Sequence, residues 1–518
     1  MRSIIKLTDS YTAIASHFIT KGIKGYVERV ITKNGINYGL VHNTNMGKMV
    51  TLDYDFPMCP LGGAKPFLHQ KITTEFIINN AKCFILSDPG TGKSLSALWA
   101  VDYLLKHNII SNCLFIAPKT TLGATWEREI KTHFQLDYSM LTGSKEARIR
   151  KAADNSPIHI INPDGVTSLI GYNKLKDYDM IVYDEATALK NGNATRTKVF
   201  IKYIGKLKKQ PRLVLMTGTP AAESPVDAYP LIKLVNDDYL KSKGIYTLGG
   251  FKGNTMVKIT QFKWVANKGA NEIIANAMQP SVRFTLDDAV DMPPIVTVNM
   301  VAVASTEQLT LLKQLKSEAE ELEGVLDATN AGVLRSKMLQ IFSGSVRLND
   351  GSVRYLDCDA RYEVLKEIIE SMGNKPVLVF TLFKATQVHL KARLEQDFKG
   401  SKIECINGDV SLDERTRIVS EFEDGNVKVV LAHPRTTAHG LSFTRGNTCV
   451  FWSPVDSAEL YVQGRGRARR LSSLKHNHDR FLIYHIFSSK LEMKIYSDLE
   501  HGKVRNMNEV LQMIKENI

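Results

Sequence analysis

Asp88-Pro89-Gly90-Thr91-Gly92-Lys93-Ser94 is the stretch on which the reading of this chain turns. The apolar run Cys83-Phe84-Ile85-Leu86 precedes it, and Leu95-Ser96-Ala97-Leu98-Trp99-Ala100, with helical character, follows. Strand, glycine-rich loop and helix in that order make a cradle for phosphate. The glycines let backbone N–H groups close on phosphate oxygens, and the helix N-terminus adds positive partial charge. Lys93 has the length to reach β- and γ-phosphates, and the Ser94 hydroxyl suits a Mg²⁺ ion. Such loops usually open with glycine, whereas Ser87 stands here. Taken alone, the loop points to a nucleotide and to nothing narrower.

Outward from the loop, short apolar runs recur with helical stretches between them. Cys113-Leu114-Phe115-Ile116-Ala117, Ile158-His159-Ile160-Ile161, Met180-Ile181-Val182-Tyr183 and Leu213-Val214-Leu215-Met216 each end in polar or glycine residues. Buried parallel strands with sites at their C-terminal ends have this pattern, so an α/β doubly wound architecture is expected. Asp184-Glu185 follows the third of these runs. Carboxylates there supply what a phosphate loop lacks: Asp184 to hold Mg²⁺, and Glu185 to orient and deprotonate an attacking water.

A second α/β unit begins after Pro293-Pro294. Ser305 to Glu323 reads as a helix, with Ser305 and Gln308 spaced as a capping box. Val377–Phe380, Lys428–Leu431 and Cys449–Trp452 read as strands, and Arg480 to Phe487 as a late one. Residues before about 60 form a separate β-rich module. Tyr26–Ile31, an Asn34-Gly35 turn, Ile36–Val41, a turn at Asn43–Gly47 and Lys48–Leu52 suggest a meander. Whether that module grips DNA or covers the next domain is left open by its residues. The expected domains are therefore 1–60, 61–292 and 293–518.

Composition narrows the class. The 518 residues are 43% hydrophobic and 23% charged, ordinary for a globular chain. A net charge of +13 favours a polyanionic partner such as nucleic acid. The six cysteines are scattered without a Cys-x-x-Cys pair, which argues against zinc and against a disulfide framework. The N-terminus lacks a signal-like apolar core and no stretch is long enough to span a bilayer, so a cytoplasmic protein without a membrane partner is expected.

The boxes beyond the loop are more specific. Asp184-Glu185-Ala186-Thr187-Ala188-Leu189-Lys190-Asn191 resembles the Asp-Glu-x-His-x-x-Lys-Asn box of Snf2-type superfamily 2 helicases and translocases, with Thr187 in place of His. Leu215-Met216-Thr217-Gly218-Thr219-Pro220 resembles their third motif, Phe67-Leu68-His69-Gln70 the segment whose Gln reads adenine, and Ala117–Leu122 with Trp126 and Glu129 motif Ia. Val379–Phe383 resembles motif IV, with Ile406-Asn407-Gly408, Glu414-Arg415 and Phe422 at the usual spacing after it. Ala438-His439-Gly440-Leu441-Ser442-Phe443-Thr444 resembles motif V, with Ala438 and Ser442 replacing Gly and Asn. Gln463-Gly464-Arg465-Gly466-Arg467-Ala468-Arg469-Arg470 resembles motif VI, with Arg469 for a frequent His and Leu471-Ser472 for Gly-Gln.

The resemblance spans about residues 65 to 500 and implies two RecA-like parallel-sheet domains, ATP and Mg²⁺ as cofactors, and DNA as partner. Lys93, Asp184, Glu185, Gln463, Arg467 and Arg470 would be catalytic, with Arg470 as the arginine finger. Gln70 and Asp88, Pro89, Gly90, Thr91, Gly92, Lys93 and Ser94 would bind ATP, with Ser94 and Asp184 on the metal. Thr217 and Thr219 would couple the sites. Lys119, Thr120, Asn162, Thr381, Thr436 and His439 would bind nucleic-acid phosphates without reading sequence. The degenerate boxes and small N-terminal module resemble bacteriophage-encoded helicases that remodel forks and migrate branches, which would place the chain in a host bacterial cytoplasm. A duplex translocase that strips bound proteins and a clamp with little ATPase are the alternatives. An RNA helicase fits less well, because the boxes follow the Snf2 set.

Overall fold

The computed structural model describes residues 66–503 apart from 135, 222, 260–263, 290, 322–327, 349, 438–440 and 456, together with four strands between residues 4 and 42. The chain divides into two compact units, the first ending at Asp291 and the second starting at Met292.

In the first unit the strands are β5 (Lys82–Ile85), β6 (Cys113–Ile116), β7 (Tyr138–Met140), β8 (Ile158–Ile161), β9 (Met180–Asp184), β10 (Arg212–Met216) and β13 (Ser281–Val282). They form one seven-stranded sheet in the order β13-β5-β10-β9-β6-β8-β7. Every pairing in it is parallel. Helices cover both faces of such a sheet, which is why its central strands are continuous apolar runs rather than alternating ones. β6, β8 and β9 are buried at every residue. The core on one face gathers Phe76, Leu98, Trp99, Phe115, Trp126 and Val182. Each large apolar side chain buried this way contributes about 1.5–3 kcal/mol. Two further strands, β11 (Met256–Lys258) and β12 (Trp264–Ala266), pair antiparallel as a hairpin.

The second unit holds β14 (Ile295–Val301), β17 (Val377–Phe380), β18 (Ile403–Ile406), β19 (Val429–Ala432), β20 (Thr448–Phe451) and β21 (Phe481–Phe487) in the order β14-β21-β20-β17-β19-β18. This sheet too is wholly parallel. Its core joins Tyr362, Leu365, Ile369, Val379, Leu431 and Trp452. A small antiparallel pair, β15 (Ser345–Arg347) and β16 (Val353–Tyr355), precedes the helix Asp359–Ser371. The expected helix after Ser305 is Thr306–Glu321, and its capping box forms: Ser305 N–H donates to Gln308 Oε1 at 3.0 Å and Gln308 N–H to Ser305 Oγ at 3.2 Å. The fold class is thus two parallel-sheet α/β domains.

Near the N-terminus β1 (Ile4–Lys6), β2 (Tyr11–Ala15), β3 (Val27–Lys33) and β4 (Ile36–His42) form an antiparallel sheet in the order β1-β2-β4-β3. Lys33 pairs with Ile36, so only Asn34-Gly35 lies between β3 and β4. The expected turn at Asn43–Gly47 and strand Lys48–Leu52 lie outside the described residues. Among the described residues, no helix is long and apolar enough to cross a membrane.

Candidate nucleotide site and helicase motifs

The sheet order of the first unit distributes the candidate residues. β5, β10 and β9 are neighbours, and their C-terminal ends carry the loop 88–94, Thr217-Gly218-Thr219 and Asp184-Glu185. β6 and β8, on the other side of β9, carry Lys119 and Thr120 and, one strand further, Asn162. One edge of one sheet therefore holds both groups, with β9 between them.

The loop is built for an anion. Gly90 and Gly92 take φ of 90° and 82°, the left-handed region that a side chain resists. Gly92 is the N-cap of the helix Lys93–Lys106 and has no side chain to cap its first-turn N–H groups. A Cβ on Gly92 would fall 2.1 Å from Gln70 Nε2. Gln70 packs on the loop from the helix Leu68–Asn79: its Nε2 donates to Thr91 O at 3.4 Å and its Oε1 accepts Phe67 N–H at 3.0 Å. His69 Nε2 lies 2.8 Å from the same Thr91 carbonyl. The Lys93 ammonium rests on the loop itself, donating to Ser87 O at 2.8 Å and Asp88 O at 3.0 Å. The Thr91 N–H and hydroxyl donate to Asp88 O at 3.4 and 2.9 Å. The Asp88 carboxylate is held elsewhere, 3.1 Å from Arg283 Nη1 and 3.3 Å from Leu286 N.

Asp184 closes β9. Its Oδ2 accepts the indole N–H of Trp126 at 3.1 Å, and its Oδ1 accepts the Glu185 N–H at 3.1 Å. Burial, and then the neighbouring Glu185 charge, push its carboxyl up to about 7, against the pull of Lys93 and both hydrogen bonds. A buried carboxylate in that condition gains from a cation. With the Ser94 hydroxyl at the start of the helix, the donor set is the hard oxygen chemistry that Mg²⁺ takes. Glu185 adopts φ 51°, left-handed for a residue that rarely pays that cost outside functional sites.

Thr217-Gly218-Thr219 lies directly against the loop. Thr217 N–H donates to Ile85 O at 3.0 Å, Thr219 N–H to Thr217 Oγ1 at 3.0 Å, and a Cβ on Gly218 would sit 3.0 Å from Pro89 Cδ. Thr219 Oγ1 is buried without a hydrogen-bond partner among the described residues, as is Thr120 Oγ1. Lys119 is exposed. Asn162 stands at the N-cap of the helix Pro163–Gly171, yet its side chain makes no capping bond.

In the second unit Gln463, Arg467 and Arg470 fall on the helix Ala458–Arg465 and the turn after it. Arg467 is 2% exposed and donates from Nε to Gln463 O at 3.0 Å and from Nη1 to Leu441 O at 2.9 Å. Phe443 N–H returns a bond to Arg467 O at 3.0 Å, joining the motif V and motif VI segments. Arg470 is half-buried, its Nε 3.3 Å from Gly466 O. Gln463 Nε2 donates to Glu459 at 3.4 Å. Thr381, after β17, keeps a buried hydroxyl without a partner among the described residues. Thr436 donates its hydroxyl to His433 O at 2.8 Å. His439 lies outside the described residues.

Sequence reasoning did not single out Arg283, which reaches the loop from just past the two-residue strand β13, too short to show any periodicity. Trp126 was visible only as a motif letter; its bond to Asp184 needs the fold.

These features define a two-sheet ATPase core of the helicase type. Residues 34–283 match the SNF2-related domain and residues 360–472 the helicase conserved C-terminal domain. The chain belongs to the Snf2-related branch of superfamily 2 and is an ATP-dependent helicase/translocase. It is 24% identical over 472 residues to protein p41 of Acyrthosiphon pisum secondary endosymbiont phage 1, covering 87% of this chain and 98% of that one. It is 21% identical to the human DNA annealing helicase and endonuclease ZRANB3, covering 78% of this chain but 37% of that protein. Saccharomyces cerevisiae Dbp5 bound to RNA and ADP BeF3 shares the fold, at 14% identity and a TM-score of 0.53 over 87% of this chain and 94% of that one.

Proposed function

We propose that this chain hydrolyses ATP at the loop 88–94 to move along DNA, acting on forked or branched substrates in replication, recombination or repair. The observation that carries the reading is the single sheet edge on which the loop, Asp184-Glu185 and Thr217-Gly218-Thr219 adjoin Lys119, Thr120 and Asn162 across β9. Bound ATP supplies the phosphoanhydride, and Ser94 and Asp184 would hold its Mg²⁺. On this reading Lys93 leaves the carbonyls of Ser87 and Asp88 for the β- and γ-phosphates. Glu185 would orient and deprotonate the attacking water, and Arg470 would be the arginine finger that adds positive charge at the γ-phosphate. Gln463 and Arg467, on the same helix and the turn after it, would complete the catalytic set. The hydroxyls of Thr120 and Thr381 and the ammonium of Lys119 meet phosphates, so binding does not depend on base sequence. DNA as the partner is supported by the human relative, which is named a DNA annealing helicase and endonuclease.

The test is ATP hydrolysis with single-stranded, duplex, forked and four-way-junction DNA and with RNA, with Lys93→Ala as control. Strongest stimulation by forks and junctions, and none in the Lys93 variant, is expected. Equal stimulation by plain duplex would favour a tracking translocase that displaces bound proteins. No response to any DNA, or full turnover without Lys93, would overturn the proposal.

A further inference from the structure

The residues just before the second unit do more than connect it. β13 pairs in parallel with β5, and the bonding continues past both strands at alternate residues to the start of the phosphate loop. Phe84 N–H donates to Pro280 O at 3.0 Å, Leu86 N–H to Val282 O at 2.9 Å, and Asp88 N–H to Phe284 O at 2.9 Å. Side chains then lock the register. Ser87 Oγ accepts Phe284 N–H at 3.0 Å. Arg283, 8% exposed, donates from Nη1 to Leu86 O at 2.7 Å and lies 3.1 Å from Asp88 Oδ1. Leu286 N–H reaches Asp88 Oδ2 at 3.3 Å.

From this geometry we infer that Arg283 and Asp88 are positioning residues for nucleotide binding: together with Ser87 they clasp the phosphate loop to the segment 280–286 and hold it in its binding shape. This rests on the reading of 88–94 as the ATP loop. Three physical points carry it. The carbonyls of Ser87 and Asp88 are the ones on which Lys93 rests, so the clasp sets where that ammonium starts. A loop with two glycines in left-handed conformations loses much chain entropy on ordering, and a clasp in place before the nucleotide arrives removes that cost from binding. A carboxylate next to phosphate would repel it, and Arg283 and the Leu286 amide absorb that charge. The clasp also explains the serine where the loop pattern usually has glycine: the Ser87 hydroxyl takes an N–H that glycine would leave unbound.

The experiment is titration of a fluorescent ATP analogue and steady-state ATPase on the full chain for Arg283→Ala, Arg283→Lys, Asp88→Asn and the pair Arg283→Ala/Asp88→Asn, with Lys93→Ala alongside and thermal unfolding of each. Loss of a charge-assisted contact predicts nucleotide affinity and KM weakened about tenfold, with kcat changed far less. The pair is expected to be no weaker than either single change, because both break one clasp. Arg283→Lys should recover part of the affinity. Lower melting temperature with unchanged affinity and KM would make the clasp merely structural and overturn the inference. So would additive losses in the pair. Normal nucleotide binding by Lys93→Ala would instead overturn the ATP-loop reading itself, and the inference with it.

Discussion

At the residue scale, the loop 88–94 is governed by what its neighbours leave no room for. Gly218 faces Pro89 so closely that a methyl group would meet Pro89 Cδ at 3.0 Å and Ser87 O at 3.5 Å. Gly218→Ala is therefore expected to push the loop and destabilise the protein by about 1–3 kcal/mol, with KM for ATP raised. Denaturant unfolding and ATPase kinetics check both, and wild-type values in the two would mean that the loop gives way freely. His485 shows the same control over a proton. Its ring stacks on Tyr496 with centroids 4.1 Å apart, and its nitrogens meet Tyr461 Oη at 2.9 Å and Asn299 Oδ1 at 3.0 Å. Burial lowers its pKa to about 4, and the Glu500 charge only partly opposes this. The folded state therefore prefers the neutral ring. This contribution is complete above the unfolded value near 6.5 and is lost as pH falls toward 4. Between pH 7 and 5 it costs about 2 kcal/mol. Unfolding in urea at the two pH values, with His485→Gln as comparison, reads it; an equal pH loss in the variant would assign the effect elsewhere.

Among elements, a buried ion pair ties two helices of the second unit. Arg361, on the helix Asp359–Ser371, is 1% exposed and bonds both oxygens of Glu492, on the helix Lys490–Ser497, at 2.8 and 2.7 Å. It also donates to Trp452 O at 3.0 Å just past β20. Removing one partner leaves a charge without its counterpart in the interior. Arg361→Met should cost about 3–5 kcal/mol, and adding Glu492→Leu should return much of it. Equilibrium unfolding of the two variants decides, and equal losses in both would mean that the pair is not the cause. The elements themselves were largely legible in the sequence. The runs at Cys83, Cys113, Ile158, Met180, Leu213, Val377 and Cys449 all lie in parallel strands, because strands buried on both faces must be continuously apolar. β14 was not legible: Ile295–Val301 holds only half-buried and exposed residues and sits at the sheet edge beside β21. β13 was missed for its length, and with it Arg283. At the site, the loop and the carboxylates announced themselves by residue type and order. The partners of Asp88 and Asp184 come from positions 283 and 126, a proximity that only the strand order creates.

For the whole molecule, the charge of +13 and the proposed phosphate contacts set a dependence on ionic strength. DNA-stimulated ATPase should fall steeply between about 50 and 200 mM salt while basal turnover changes little, since each neutralised phosphate releases counterions. Lys119→Ala should flatten the log–log slope by about one if its ammonium meets a phosphate. An unchanged slope would remove Lys119 from the interface. The chain spans 98% of the length of its phage relative and 37% of that of human ZRANB3.

Trp126 gives that core a mechanical property. The indole sits in a π-helical turn, Leu122–Glu127, downstream of Lys119 and Thr120, and its far end is fastened to the last residue of β9. Its ring is pinned against Phe115 of β6, with centroids 4.5 Å apart, and is wholly buried. A rigid bicycle held at both ends behaves as a crank. A shift of the turn must rotate the ring, stretch one hydrogen bond, or carry the Asp184 carboxylate with it, so one side chain links the turn to the end of β9.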